Sequence, residues 1–432
     1  MRKFLLLGIC VSFLLPAIAQ AQQVRSSYFM EGSNYRMSLN PSFQPTKGFV
    51  NLPGIGGTST ELSTNSVGMH DLFEVFASDD DYYNSDKFYN SLKNMNEANI
   101  HASTNILSMG AYKGKGFWTF NIGTRVDAEG NIPKSMFDYL RAGDPNYWDT
   151  NFDIRDEKLR VNAYIEIGGG YSSAINERLT VGGRAKLLLG AGNIGLTINN
   201  LSLSKNNMGN GFQIISDAYL ESSVKGVELE ETNGYVTDLE YNKFGVSGYG
   251  AGFDLGANYK LTDKLTLSAS LLDLGFIAWS KSGTQIAESD KNTTLTPGSD
   301  YSMEDAENVI DFELYGLQKK ENKARTTSLS PTLVLGGEYA FFNNELSVGL
   351  LSTTRFGKLH NHSELTLSAN YRPNTFINAS LTYSMLQGGD TFGFVIRIGQ
   401  LMLGTDYIYL GKNSNHANAF VGLSIPLGKK KE

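Results

Sequence analysis

The chain has 432 residues, with 37 Lys and Arg against 44 Asp and Glu for a formal charge of -7, 46 Gly, 10 Pro and a single Cys. Charged residues reach 19% and aromatics 11%, whereas a soluble domain carries about 25% charge, and Gly stands well above its usual roughly 7%. That balance excludes a disordered chain, a collagen-like repeat and a disulfide-stapled scaffold, and an acidic chain offers nothing that would attract nucleic acid.

Met1-Arg2-Lys3 is a short basic head, Phe4 to Leu15 is an apolar run, and Ala19-Gln20-Ala21 is a small-x-small site. The run is shorter than the about 17 to 25 residues a membrane helix needs, so residues 1–21 read as a cleaved secretory signal. Arg2, Lys3 and Cys10 leave with it, so 35 basic residues face 44 acidic ones, a charge of -9, and no thiol remains. Residues 22–102 show no sustained alternation. They hold Leu39-Asn40-Pro41, Asn51-Leu52-Pro53, the acidic run Asp79 to Asp81, and a short helix after Ser85 with Phe88, Leu92 and Met95 on one side.

From 103 onward apolar residues recur with period two. Leu265, Leu267, Ala269 and Leu271 alternate with Thr266, Ser268 and Ser270, and Ile377, Ala379, Leu381, Tyr383 and Met385 alternate with Asn378, Ser380, Thr382 and Ser384. Such ribbons suit either a sandwich with a dry core or a transmembrane barrel with an oily outside and a polar lumen. The strands run about 10 to 15 residues where a globular strand averages about 5 to 6, and no linker divides them. Both features favour the barrel. Segments from 103–112 to 417–427, with 212–224 among them, predict an all-β antiparallel transmembrane barrel of about fourteen strands over 103–432. Short turns at Lys113-Gly114-Lys115, Thr262-Asp263, Asn343-Asn344 and Pro373-Asn374 alternate with long connections at 128–157, 193–211, 225–245 and 280–326, the last with a helix-like stretch from Met303 to Phe312. A ring this wide cannot fill its interior with its own small side chains. Residues 22–102 are therefore expected to fold into it as a plug or hatch, the alternative being an extension on the short-turn side. Trp118, Tyr171, Tyr259, Trp279, Tyr339, Tyr371, Tyr407 and Tyr409 near strand ends predict interfacial girdles.

Several stretches carry a family resemblance: Tyr28-Phe29-Met30, Leu39-Asn40-Pro41, Gly116-Phe117-Trp118-Thr119-Phe120, Ile132-Pro133-Lys134, Thr180 to Lys186, Gly250 to Ala257 and Ser270 to Gly275. With them the mature chain resembles an uncharacterised, domain-of-unknown-function outer-membrane barrel family of Bacteroidota, related in layout to the FadL-like long-chain fatty acid transporters. The resemblance implies a signal peptide, the outer membrane as location, a porin-like or FadL-like transport barrel, and Asn40 and Pro41 as the plug motif. Asn40-Pro41 is followed by Ser42 where the FadL-like group carries Ala, and the chain ends on Lys429-Lys430-Lys431-Glu432 rather than an aromatic residue, with Phe420 as a substitute.

With apolar rows toward lipid, Arg125, Glu166, Arg184, Lys186, Asp254, Glu338 and Arg397 fall on the polar parity and point into the lumen, since a cation at the midplane of the lipid face costs about 2 to 4 kcal/mol. Glu166 can pair with Arg184 or Lys186 across the turn near Asn176. Mixed signs argue against strong ion selectivity. The five histidines form no HExxH frame, His360 and His362 read as a solvated pair in a turn, and no nucleophile elbow or phosphate loop occurs. No catalytic, cofactor or metal residue is assigned. The expected function is passive transport of small solutes, hydrophobic ones included, with membrane lipid as the surrounding partner. A non-conducting partner of a surface or secretion assembly and a rim-located enzyme remain alternatives.

Overall fold

The computed structural model describes residues 25–77, 85–142, 149–206, 212–241, 245–290, 312–374, 376–387, 390–408 and 414–428. The expected signal, Asp79 to Asp81, Tyr409, the stretch from Met303 to Asp311 and Lys429 to Glu432 lie outside the described residues. The strands are β1 (Gly48–Thr64), β2 (Met95–Lys113), β3 (Gly116–Pro133), β4 (Phe152–Ala174), β5 (Leu179–Lys205), β6 (Phe212–Val224), β7 (Val227–Thr232), β8 (Tyr235–Tyr241), β9 (Gly248–Lys260) and β10 (Leu265–Trp279). They continue with β11 (Thr284–Ser289), β12 (Leu317–Lys319), β13 (Arg325–Ser328), β14 (Thr332–Phe341), β15 (Leu346–Phe356), β16 (Asn361–Tyr371), β17 (Ile377–Leu386), β18 (Thr391–Ile398), β19 (Leu401–Ile408) and β20 (His416–Leu427). Short helices α1 (Met69–Ala77), α2 (Asp86–Ser91), α3 (Lys134–Arg141) and α4 (Phe312–Tyr315) sit in the connections.

Every wall strand pairs antiparallel with its neighbours in the order β1-β2-β3-β4-β5-β9-β10-β14 and on to β20, which returns to β1, so the ring is a closed 14-strand barrel with no free edge. The expected strand number holds although its membership differs. Gly48–Thr64, read as part of the hatch, is a wall strand paired with both β2 and β20. Residues 212–224, read as wall, lie outside the ring. The reason is the length of β5, whose 27 residues far exceed the about 9 to 11 needed to cross a bilayer. Leu179 to Gly190 pair with β9 inside the wall, and Gly192 to Lys205 pair with β6 beyond it. The expected long connections at 128–157 and 193–211 accordingly hold strand that rises past the rim.

The wall is inside-out relative to a soluble protein. Trp118, Leu187, Phe253, Leu255, Leu350 and Leu381 are exposed on the outer face, whereas Ser368, Asn370, Asn378, Ser380 and Thr382 are buried within. Above the long-loop rim the same outward faces are covered by protein. On β3, Ala128 shares the parity of the exposed Trp118 and Phe120, with no register break between them, yet is buried in an apolar cluster with Met136 and Tyr139 of α3, Ile194 and Leu196 of β5, Leu220 of β6 and Tyr315 of α4. The β7–β8 hairpin closes that cluster with Val227, Leu229 and Val236. One alternating pattern thus meets lipid lower down and a dry protein core higher up.

Register breaks decide which side chains face in. Between Leu271 and Leu274, β10 advances three residues while β9 advances two, with Asp273 at φ 59°. The bulge inverts the parity, leaving Phe276 outside and turning Ile277 and Trp279 inward. Trp279 is therefore no girdle residue, and Tyr407 is likewise buried in the lumen, while Trp118, Tyr171, Tyr259, Tyr339 and Tyr371 stand on the outer face as expected.

Candidate functional site

Residues 25–46 lie inside the ring. The segment bonds to strands all around it: Arg25 to Asp406 on β19, Tyr28 to Ser268 on β10, Asn40 to the carbonyl of Ala257 on β9, Gln44 to Ser172 on β4, and the carbonyl of Glu31 to Asn378 on β17. A short stretch that touches opposite walls of a closed ring can only sit within it. Tyr28, Phe29 and Met30 are almost wholly buried. The remainder of the expected hatch does not share this place. Beyond β1, residues 65–77 and 85–94 lie at the long-loop rim, where Val67, Phe88 and Leu92 pack with Phe137 of α3.

Asn40 and Pro41 sit against the wall. The Asn40 amide donates to the carbonyls of Ala257 and Ala269, and its Oδ1 accepts from the backbone and hydroxyl of Ser42. Gly182 and Gly256 make this approach possible, because a Cβ at Gly182 would overlap the Pro41 carbonyl and one at Gly256 would overlap the Asn40 side chain. The Ser270 hydroxyl donates to the Leu39 carbonyl at 2.6 Å and Arg184 to the Met37 carbonyl at 3.1 Å.

Five of the seven expected lumen charges converge on one buried network. Lys186 Nζ lies 2.8 Å from Asp254, 3.4 Å from Glu166 and 2.6 Å from Asp273, Arg125 reaches Glu166 at 3.1 Å and Asp273 at 3.2 Å, and Arg184 reaches Asp254 at 3.2 Å. The expected pairing of Glu166 across the β4–β5 turn is made with Lys186. Three cations meet three carboxylates, so the network is self-neutralising, and the charges that ring parity turned inward also grip the segment through Arg184.

The other two stand apart. Glu338 pairs with Arg372, which also holds Glu31 of the segment at 2.9 Å. Arg397 lines a cavity of about 300 Å³ at the short-turn mouth beside Phe376 and Gly399. A further group was not foreseen. Arg25 donates to Tyr407 at 2.6 Å, to Glu61 at 2.9 Å and to Thr353 at 3.3 Å, while its own N–H and that of Ser26 both donate to Asp406. Nearby, Arg355 donates to Asp127 and to His101 Nε2, both at 2.8 Å. The other ring nitrogen of His101, Nδ1, faces Asp127. Asp273 escaped the sequence because simple alternation puts it on the lipid row of β10, and Arg25, Glu61 and His101 because they precede the first recognised strand.

Among the described residues no cluster of His, Cys, Asp or Glu has the geometry to hold a metal ion. The arrangement can hold a segment in place, orient water and hydrogen-bonding solutes, and present both signs of charge.

The decisive comparison is with sequence families. The chain belongs to the family of unknown function DUF5723. The match spans residues 41–406 and so takes in nearly the whole barrel. No curated protein sequence matches. Among solved structures, the Pseudomonas putida toluene transporter TodX aligns over 94% of this chain and 96% of its own with 11% identity and a TM-score of 0.40. A Pseudomonas aeruginosa FadL homologue aligns over 94% and 96% with 10% identity and a TM-score of 0.32, and the translocator domain of the Neisseria meningitidis autotransporter NalP over 89% and 90% with 7% and 0.32.

Proposed function

We propose that this DUF5723 protein is an outer-membrane barrel that passes small solutes passively and is closed at rest by residues 25–46, which act as its plug. The observation that carries the reading is how the segment is held. Its bonds to the wall run through side chains such as Arg25, Tyr28 and Asn40, with no strand ladder joining it to the ring. A wall built from continuous backbone pairing stays closed on itself, while a side-chain-held insert can shift without breaking that wall. The two inner cavities beside it, of about 70 Å³ each, hold a few waters and no larger solute, so passage beyond the mouth requires movement.

A second reading, a non-conducting partner of a surface assembly, is favoured by the dry-cored module of β6, β7, β8, β11 and β12 above the rim, which a simple pore does not require. The long loops would then face the cell exterior, as in bacterial barrels generally. Planar-bilayer conductance and liposome swelling of the full protein and of a form lacking residues 25–46 separate the two. Transport expects the deletion to open a large, stable conductance. No conductance from either folded form supports the partner role instead.

A further inference from the structure

Three cavities follow one another along the inserted segment. The lowest, of about 300 Å³, opens at the short-turn mouth. The middle one, of about 70 Å³, lies between the segment and strands β1, β2 and β3, and the uppermost, also about 70 Å³, lies beneath Arg25 and His362. Adjacent cavities share wall residues. Asn34, Tyr35 and Phe49 separate the lower pair, and Ser38, Ser103 and Arg125 separate the upper pair.

Most residues lining the middle cavity carry a hydroxyl or an amide, among them Asn34, Asn51, Ser59, Ser103, Asn105 and Thr119. Its charges are of both signs, since Arg125, Arg184 and Glu166 all reach it and are paired with one another or with neighbours. Tyr35 stands at the lower constriction with its ring edge-on to Phe420 at 5.0 Å, and its buried hydroxyl has no hydrogen-bond partner. A buried phenol left unsatisfied is destabilising, and a solute hydroxyl or water arriving beside it would satisfy it. The middle cavity also abuts the place where β1 departs from regular pairing: between Asn51 and Thr58 it advances seven residues while β2 advances four.

We infer that these cavities are the closed form of a single route past the plug, with Tyr35 as its lower gate and the Ser38–Ser103–Arg125 constriction as its upper one, and that the route selects small uncharged solutes rich in hydrogen-bonding groups, of the polyol or monosaccharide kind, over hydrocarbons. This rests on the transport reading and names the solute class for it. A hydrocarbon entering the middle cavity would strip water from the hydroxyls and amides lining it without replacing the bonds, and a charged solute would meet the wrong sign in one half of the network.

Proteoliposome swelling in L-arabinose tests this, alongside uptake of toluene, with heat-modifiable gel migration confirming that each variant is folded. Tyr35→Ala is expected to raise the arabinose rate several-fold over the unaltered protein, Tyr35→Phe, which keeps the gating ring, to give no such gain, and Ser103→Trp added to Tyr35→Ala to cancel the gain. A form lacking 25–46 that swells while folded Tyr35→Ala does not overturns the route and leaves the transport reading standing. A gain that Ser103→Trp fails to cancel, or one seen for toluene and not arabinose, also overturns the inference. If neither Tyr35→Ala nor the deletion swells, the transport reading falls with it.

Discussion

Asp273 shows how much one backbone dihedral decides. At φ 59°, a left-handed value that Asp tolerates better than most residues, it turns its carboxylate from the lipid row into contact with Lys186 and Arg125. Removing one partner from a buried ion pair costs about 3 to 5 kcal/mol, whereas an exposed pair is worth about 0 to 1 kcal/mol. Asp273→Ala is therefore expected to lower unfolding stability in lipid by about 3 to 5 kcal/mol, and Asp153→Ala, in its exposed pair with Arg155, to change it little. Urea titration of the reconstituted barrel reads both. Glu157 is a second case, above the membrane. It lies across from Ile198 in the apolar cluster with Tyr315 beside it, and burial pushes its carboxyl up to about 8. The folded module keeps this proton while the unfolded chain releases it near 4.5, so stability is full below that pH and falls by about 1.4 kcal/mol per unit as pH rises toward the folded value. Glu157→Gln should abolish the slope. Urea midpoints of the module at pH 5 and pH 8 should coincide in the variant and differ in the unaltered protein.

At the scale of elements, β1 and β5 carry the departures from simple reading. In β1, Pro53 and its neighbouring glycines hide the alternation, yet the strand is indispensable because it alone joins β2 to β20. Deleting it should prevent barrel closure altogether, giving no heat-modifiable band. The β7–β8 hairpin is the opposite case. Among the described residues its strands pair only with each other, and it packs Val227, Leu229 and Val236 onto the outer module. Replacing residues 227–241 by a short Gly-Ser turn should leave the barrel folded and its gel shift intact while the module above the rim becomes protease-sensitive. Retention of protease resistance would show that β6 and β11 close the module without it.

For the whole molecule the governing fact is that two solvents act on one pattern of residues. The lower wall presents Leu350, Leu367 and Leu381 outward, and an Arg at such a midplane position costs about 2 to 4 kcal/mol. Leu350→Arg should lower stability by that amount in bilayers, measured by reversible urea unfolding. An effect near zero would place this row in water. The inserted segment 25–46 belongs to the same scale: Arg25, Asn40 and Arg372 together tie it to opposite walls, so on the proposed transport reading its release would be a single event of the molecule rather than of any one strand.

The alternation of Leu267, Leu367 or Leu381 with small polar neighbours settles, in sequence, that these ribbons have one oily and one wet side, and the scarcity of linkers and the strand length settle that they close into one ring. Local periodicity carries this because side chains alternate along any extended strand. That Glu166, Arg184, Lys186 and Asp254 share the polar row was legible for the same reason, as parity fixes the face, whereas their meeting with Asp273 in one network was not. Tertiary structure alone decided that β1 belongs to the wall, that β6 does not, and that Asp273, Trp279, Arg25 and Glu61 face the lumen. Those outcomes depend on bulges and on strand partners distant in the chain, and one inserted residue inverts every face beyond it while leaving the sequence pattern on either side unchanged.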